Sequence, residues 1–178
     1  MNKGNWIKYG KYILVNILVA AVISVLLITY VASAYRIRGD SMNSVLKDQE
    51  RIIIYKIGMK SGQIERFEIV VLKKPDQPDI FIVKRVIGLP GEIIEMQQGE
   101  FYIDSHKIIE PYLEGKKDVM YRTHAFKPLL IQKDHYFVVG DNRPVSIDSR
   151  DFGEVPIDYI MGKAIFRYWP LSRFGKIE

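Results

Sequence analysis

The sequence contains no cysteine and only three histidines in 178 residues. The missing cysteine excludes disulfide bonds and thiolate metal sites, so a domain exposed to an oxidising compartment must hold together on its core alone. His106, His124 and His135 lie beside ordinary strand or loop residues, and none has another histidine two or four positions away. That argues against a metal centre, and the three read as surface histidines. A Ser-His-Asp triad could draw its members from anywhere in the chain, but no motif surrounds any of them. Internal repeats and low-complexity tracts are also missing. The net charge of +5 is mild. With the cations scattered and no aromatic-basic ladder, the composition fits a solvated surface near anionic lipid better than a nucleic-acid binder. No metal, cofactor or nucleic-acid partner is expected.

Charge is wholly lacking in one further place. Residues 12–35, "YILVNILVAAVISVLLITYVASAY", are 24 uncharged residues. As a helix rising 1.5 Å per residue they slightly exceed the ~30 Å hydrocarbon core of a bilayer. The run reads as one transmembrane helix. Lys3, Lys8 and Lys11 before it and the "ASA" at 32–34 also suit a cleavable export signal, but such signals carry apolar cores of about 7–15 residues. Three lysines on one flank against Arg36 and Arg38 on the other give a small bias toward a cytoplasmic N-terminus. The expected division is residues 1–11 inside, 12–35 across, and 36–178 as one extracytoplasmic domain of a single-pass cell-membrane protein.

That domain is predicted to be mainly β, an antiparallel barrel or sandwich. "ERIIIYKI", "FEIVVLKK", "DIFIVKRVI", "GEFYIDSHKII", "HYFVVG" and "IMGKAIFRYW" are short runs rich in Ile, Val, Phe and Tyr. "LPGE" at 89–92 suits a type II turn, and "DS" at 104–105 could close a hairpin. Residues 115–127 read as a loop.

Four segments carry chemistry: "RGDSMNSVL" at 38–46, "RFEIVVLKKP" at 66–75, "FIVKRVIGLPGE" at 81–92 and "VVGDNRPVSIDSRDFGEVP" at 138–156. In this order and spacing, after an N-terminal apolar span, they resemble the bacterial type I signal peptidases, membrane-bound serine proteases that remove signal peptides from exported proteins. The resemblance extends to the closing "GKAIFRYWPLSRFG". It implies that Ser41 is the nucleophile and Lys84 its general base. A serine hydroxyl attacks poorly until a neutral base takes its proton. An ordinary lysine, with a pKa of ~10.4, is almost wholly charged at pH 7, so Lys84 must be buried among apolar neighbours to serve.

The resemblance further implies that Ser146 hydrogen-bonds the lysine. Asp148 with Arg150, and Asp141 with Arg85, match ion pairs that support the site. Ile37, Met42, Leu46, Ile82 and Val83 match shallow apolar pockets for the small residues of an Ala-x-Ala cleavage site. The expected partners are therefore signal peptides of exported preproteins and the lipid bilayer. Some family members add an oxyanion-stabilising hydroxyl two residues before the nucleophile, where this chain has Gly39. A second departure is "NSV" at 43–45, where members usually carry a residue followed by "PT"; the lost proline removes a fixed φ beside the nucleophile. A self-cleaving repressor-type Ser-Lys protease would carry a DNA-binding region in place of the span. The other alternative is a catalytically weak or silent paralogue acting as a membrane-anchored accessory or adhesion protein, prompted by the "RGD" at 38–40.

Overall fold

The computed structural model describes residues 3–43, 45–56, 64–113 and 126–177. Helix α1 (Lys3–Leu26) continues through a π-helical turn, Leu27–Val31. The 23 residues Tyr9–Val31 are long and apolar enough on average to cross a membrane, and none of their most apolar stretch is buried within the chain. A helix that is apolar all round and packs against nothing needs apolar surroundings.

The uncharged run was expected to be helical to residue 35, but the helix stops at Val31. Ala32–Arg36 instead form strand β1. Their backbone groups pair with the isoleucine-rich strand β2 (Arg51–Tyr55), Ala32 opposite Tyr55 and Arg36 opposite Arg51. The sheet thus begins four residues before the expected boundary, and no linking residue separates helix from sheet.

The remaining strands are β3 (Ile69–Lys74), β4 (Gln77–Gly88), β5 (Ile93–Gln97), β6 (Glu100–Ile103), β7 (His106–Lys107), β8 (Leu129–Leu130), β9 (His135–Val139), β10 (Val155–Pro156), β11 (Ile160–Trp169) and β12 (Gly175–Lys176), with one short helix, α2 (Ser149–Phe152). The larger sheet runs β1-β2-β11-β3-β4-β9-β10, with β12 beside β11; a smaller sheet runs β7-β6-β5-β8. Every pairing is antiparallel. The fold is mainly antiparallel β with one N-terminal apolar helix.

Central β3 is apolar on both faces because each face meets a core. Ile69 and Val71 join Ile37, Met42, Leu46, Ile52 and Ile54, while Val70 and Leu72 join Val86, Tyr136 and Val138. The first core clamps the loop between β1 and β2 against the sheet, and that loop carries Ser41. The turn at 89–92 closes with the Glu92 N–H on the Leu89 carbonyl, and Asp104 and Ser105, both at positive φ, join β6 to β7. Most of the stretch read as a loop at 115–127 lies outside the described residues.

Candidate active site

Lys84 stands in the middle of β4, directly opposite Val70 of β3. The period-two alternation of a strand puts it on the same face as Ile82 and Val86, and the side chain is 2% exposed. Burial pulls its pKa from an ordinary 10.5 down to about 8, against the opposing attraction of Asp148. About a tenth of such amines are neutral at pH 7, against fewer than one in a thousand for an exposed lysine. The amine donates to Ser146 Oγ at 2.9 Å.

Ser41 sits in a tight turn of the β1–β2 loop, closed by the Asn43 N–H on the Asp40 carbonyl at 3.0 Å. Ser41 and Lys84 line one open cleft of ≈ 590 Å³, together with Gly39, Asn43, Ile82, Asn142, Val145 and Ile147. Among the described residues the hydrogen bond of Lys84 Nζ goes to Ser146 and not to Ser41 Oγ. Before substrate binds, such contacts are commonly longer than they become in the reacting complex. Gly39 has φ +85°, a region where a residue bearing Cβ is strained. This gives a backbone reason for the missing side-chain hydroxyl.

The loop after β9 supplies the rest. Asp148 caps α2 and accepts from Arg150 Nε at 2.8 Å, Arg150 Nη2 at 2.9 Å and the Gly140 N–H at 3.0 Å. Burial works against its charged form, but these donors and Ser146 prevail and hold the carboxyl below its usual range. Arg85 grips Asp141 through two bonds, Nε to Oδ1 at 2.9 Å and Nη2 to Oδ2 at 2.8 Å, with the Tyr112 ring 3.9 Å from the guanidinium carbon. Both ion pairs are buried. Such pairs add little net stability, but removing one partner strands a charge, so they fix geometry.

The five apolar residues divide. Ile37, Met42 and Val83 line a second, enclosed hollow of ≈ 30 Å³ that opens beside Ser41, together with Tyr35, Val71 and Phe81. Ile82 lines the main cleft. Leu46 reaches neither hollow; it is fully buried in the core behind Met42, whose carbonyl accepts its N–H. His106 and His135 turn a ring nitrogen to a backbone carbonyl, that of Asp104 and of Lys133, and His124 lies outside the described residues. Among the described residues no cluster of His, Asp and Glu could hold a metal ion.

Sequence reasoning missed three groups. Asn142 grips the nucleophile turn: its N–H donates to the Ser41 carbonyl at 2.9 Å and its Nδ2 to the Asp40 carbonyl at 3.0 Å. Gly140 lets the two loops touch, since a Cβ there would lie 2.2 Å from Ser146 Oγ and 2.6 Å from the Ser41 carbonyl oxygen. Glu50, buried, takes Arg167 and Arg173 as partners, and the same arginines donate to the Val45 carbonyl at 2.9 and 3.1 Å. The turn that lacks its proline is therefore held from outside, by Asn142 at one end and by two arginines at the other. Gly140 and Asn142 stood inside the quoted "VVGDNR", whereas Glu50, Arg167 and Arg173 meet only through the β2–β11 pairing.

A family model described as "Signal peptidase, peptidase S26" matches residues 6–169. Signal peptidase IB of Staphylococcus aureus (strain N315) is 39% identical over 174 residues, 90% of each chain. A probable signal peptidase I-2 of Synechocystis is 34% identical over 179 residues, covering 97% of this chain and 78% of the relative. A solved signal peptidase I from Enterococcus faecalis V583 is 31% identical and superposes with a TM-score of 0.49 over 57% of this chain and 96% of its own.

Proposed function

This chain belongs to the signal peptidase family, peptidase S26, and from that membership we propose that it is a membrane-anchored serine endopeptidase that cuts signal peptides from exported preproteins with a Ser41-Lys84 dyad. Neutral Lys84 takes the Ser41 proton as Oγ attacks the carbonyl carbon of the scissile bond. The charged lysine then protonates the leaving amine, and a water deprotonated by the same group releases the acyl-enzyme. The developing oxyanion is met by the main-chain N–H of Ser41, which makes no hydrogen bond to another described residue. Ser146 orients the amine, and the Asp148-Arg150 and Asp141-Arg85 pairs keep Ser146 and β4 in register.

One observation carries this reading: a lysine 2% exposed, with its pKa drawn down to about 8, shares a cleft with a turn serine. A buried lysine with no task would cost stability for nothing. The ≈ 30 Å³ hollow beside Ser41 suits an alanine methyl group, in keeping with small residues before the cut. Helix α1 supplies the anchor, with the N-terminus cytoplasmic and the sheet domain on the outer face, where preproteins emerge. The half-exposed Trp169 and the exposed Phe174 suit the interfacial layer there.

The test is cleavage of a peptide whose signal ends in Ala-x-Ala by the detergent-solubilised chain, read by mass. The parent cuts after the second alanine, and Ser41→Ala, which stays folded, does not. Turnover of Ser41→Ala within threefold of the parent would end the assignment.

A further inference from the structure

The last carbonyls of a helix have no partner within it. Within the water-free hydrocarbon core each one left unsatisfied is expensive, so a helix end near that core gains from a fixed donor. In this chain those of Leu27, Ile28, Thr29 and Val31 are met from the sheet and the residue that follows β2. The Leu27 carbonyl accepts from the Ala32 N–H, and the Ile28 carbonyl from Ser33 Oγ at 3.5 Å. The remaining donors belong to one residue. Lys56, the first residue after β2, donates from Nζ to the Ile28 carbonyl at 3.4 Å and the Thr29 carbonyl at 3.2 Å, and from its N–H to the Val31 carbonyl at 2.9 Å. Its positive charge also faces the negative end of the helix dipole.

Lys56 is joined covalently to Tyr55, which pairs with both Ala32 and Lys163. A load on the helix end therefore passes into β2 and β11 as well as β1. Nothing in the chain lies between Val31 and Ala32 to act as a hinge. From this geometry we infer that Lys56 is a positioning residue that locks the apolar helix to the sheet, so that the membrane fixes the height and tilt of Ser41. The inference rests on the membrane-peptidase reading above. It deepens that reading by assigning the rigid coupling to one side chain outside the cleft. A freely tethered domain would meet a membrane-inserted signal peptide at many heights. A locked one presents the nucleophile at one, and misplacements near 1 Å can cost about a hundredfold in rate.

The lack of cysteine makes the test direct, because two introduced cysteines are the sole labelling sites. Spin labels at Val22→Cys in the helix and Lys133→Cys, exposed and far along the chain, report the helix-to-domain distance in lipid vesicles holding the full-length protein. The parent gives a narrow distribution. Lys56→Met, which keeps the stem and the main-chain bond to Val31 and loses the two ammonium bonds, broadens it, and Lys56→Arg restores it. On the same vesicles Lys56→Met cuts a membrane-inserted preprotein about tenfold more slowly, while kcat/KM for a water-soluble Ala-x-Ala peptide stays within twofold. Equal distance widths in parent and Lys56→Met would overturn the lock. So would a parallel fall on both substrates, which would mark Lys56 as a general support of the fold. If the parent cuts neither substrate, it is the peptidase reading that fails, and the distance widths still decide the lock.

Discussion

Asn142 holds Ser41 by the backbone and the residue before it by the side chain, through bonds of 2.9 Å to the Ser41 carbonyl and 3.0 Å from Nδ2 to the Asp40 carbonyl. The usual proline of this turn would act on the unfolded chain, by removing conformations before folding. Asn142 acts on the folded one. Asn142→Ala keeps the main-chain bond and loses the other, whose net worth is about 1 kcal/mol. The expected result is a kcat lowered about fivefold with KM within twofold, measured by steady-state peptide cleavage. A change confined to KM would mean that Asn142, which also lines the cleft, serves the substrate rather than the turn.

Gly140 makes a sharper case. The atoms its Cβ would strike include the Ser41 main-chain oxygen at 2.6 Å, which cannot swing aside as a long side chain can. Gly140→Ala must part the two loops or displace Ser146 Oγ from Lys84. Overpacking of this kind costs about 1–3 kcal/mol of stability, and a shift near 1 Å about a hundredfold in rate. Urea unfolding and peptide kinetics read the two effects separately. A Gly140→Ala enzyme with more than a third of the parent kcat would show that the loops need not touch.

The motifs carrying Ser41, Lys84, Ser146 and both ion pairs were legible because each lies in a short, ordered string of residues. The strands were legible where β-branched and aromatic residues cluster, as in β2, β3, β4 and β11. Strand β1 was not. "ASAYR" has no strong preference of its own, and it becomes a strand because β2 offers isoleucines and open backbone groups beside it. Strands β8, β10 and β12, of two residues each, exist only as pairings with neighbours. Leu46 was read as a pocket residue from motif position alone, but strand and turn geometry carry it behind Met42 into the core.

Lys84 ties function to stability. In the unfolded chain it holds its proton to near pH 10.5, while in the fold it releases it near 8. Between those values the unfolded state binds more protons, so the fold gains stability as pH rises, and below about 8 the full penalty stands, on the order of 3 kcal/mol. Lys84→Met should therefore be more stable than the parent at pH 7, with the gap narrowing from pH 8 to 10.5 in urea titrations. Activity follows the same group. In the parent, kcat/KM rises to a plateau as pH passes about 8. Lys84→Arg is inactive throughout, because a guanidinium stays protonated and accepts nothing. An active arginine variant, or a flat profile from pH 6 to 10, would remove Lys84 from the chemistry.

The enclosed hollow makes the last prediction one of size. Small at ≈ 30 Å³ and walled by Tyr35, Ile37, Met42, Val71, Phe81 and Val83, it suits a methyl group better than a branched side chain. A single methylene in such a pocket discriminates by roughly 10–200-fold. Replacing the alanine before the cut by valine in the test peptide should thus lower kcat/KM by about a hundredfold or more. Val83 is the wall to move. It is half-buried, pairs across the sheet with Val71, and faces away from Lys84 because successive strand residues alternate. Val83→Ala removes two methyl groups from the pocket without touching the base. It should recover about tenfold on the valine peptide while the alanine peptide stays within about threefold, both measured as kcat/KM. If Val83→Ala leaves the alanine-to-valine ratio unchanged, the hollow is packing space in the core, and the residue before the cut binds elsewhere in the cleft.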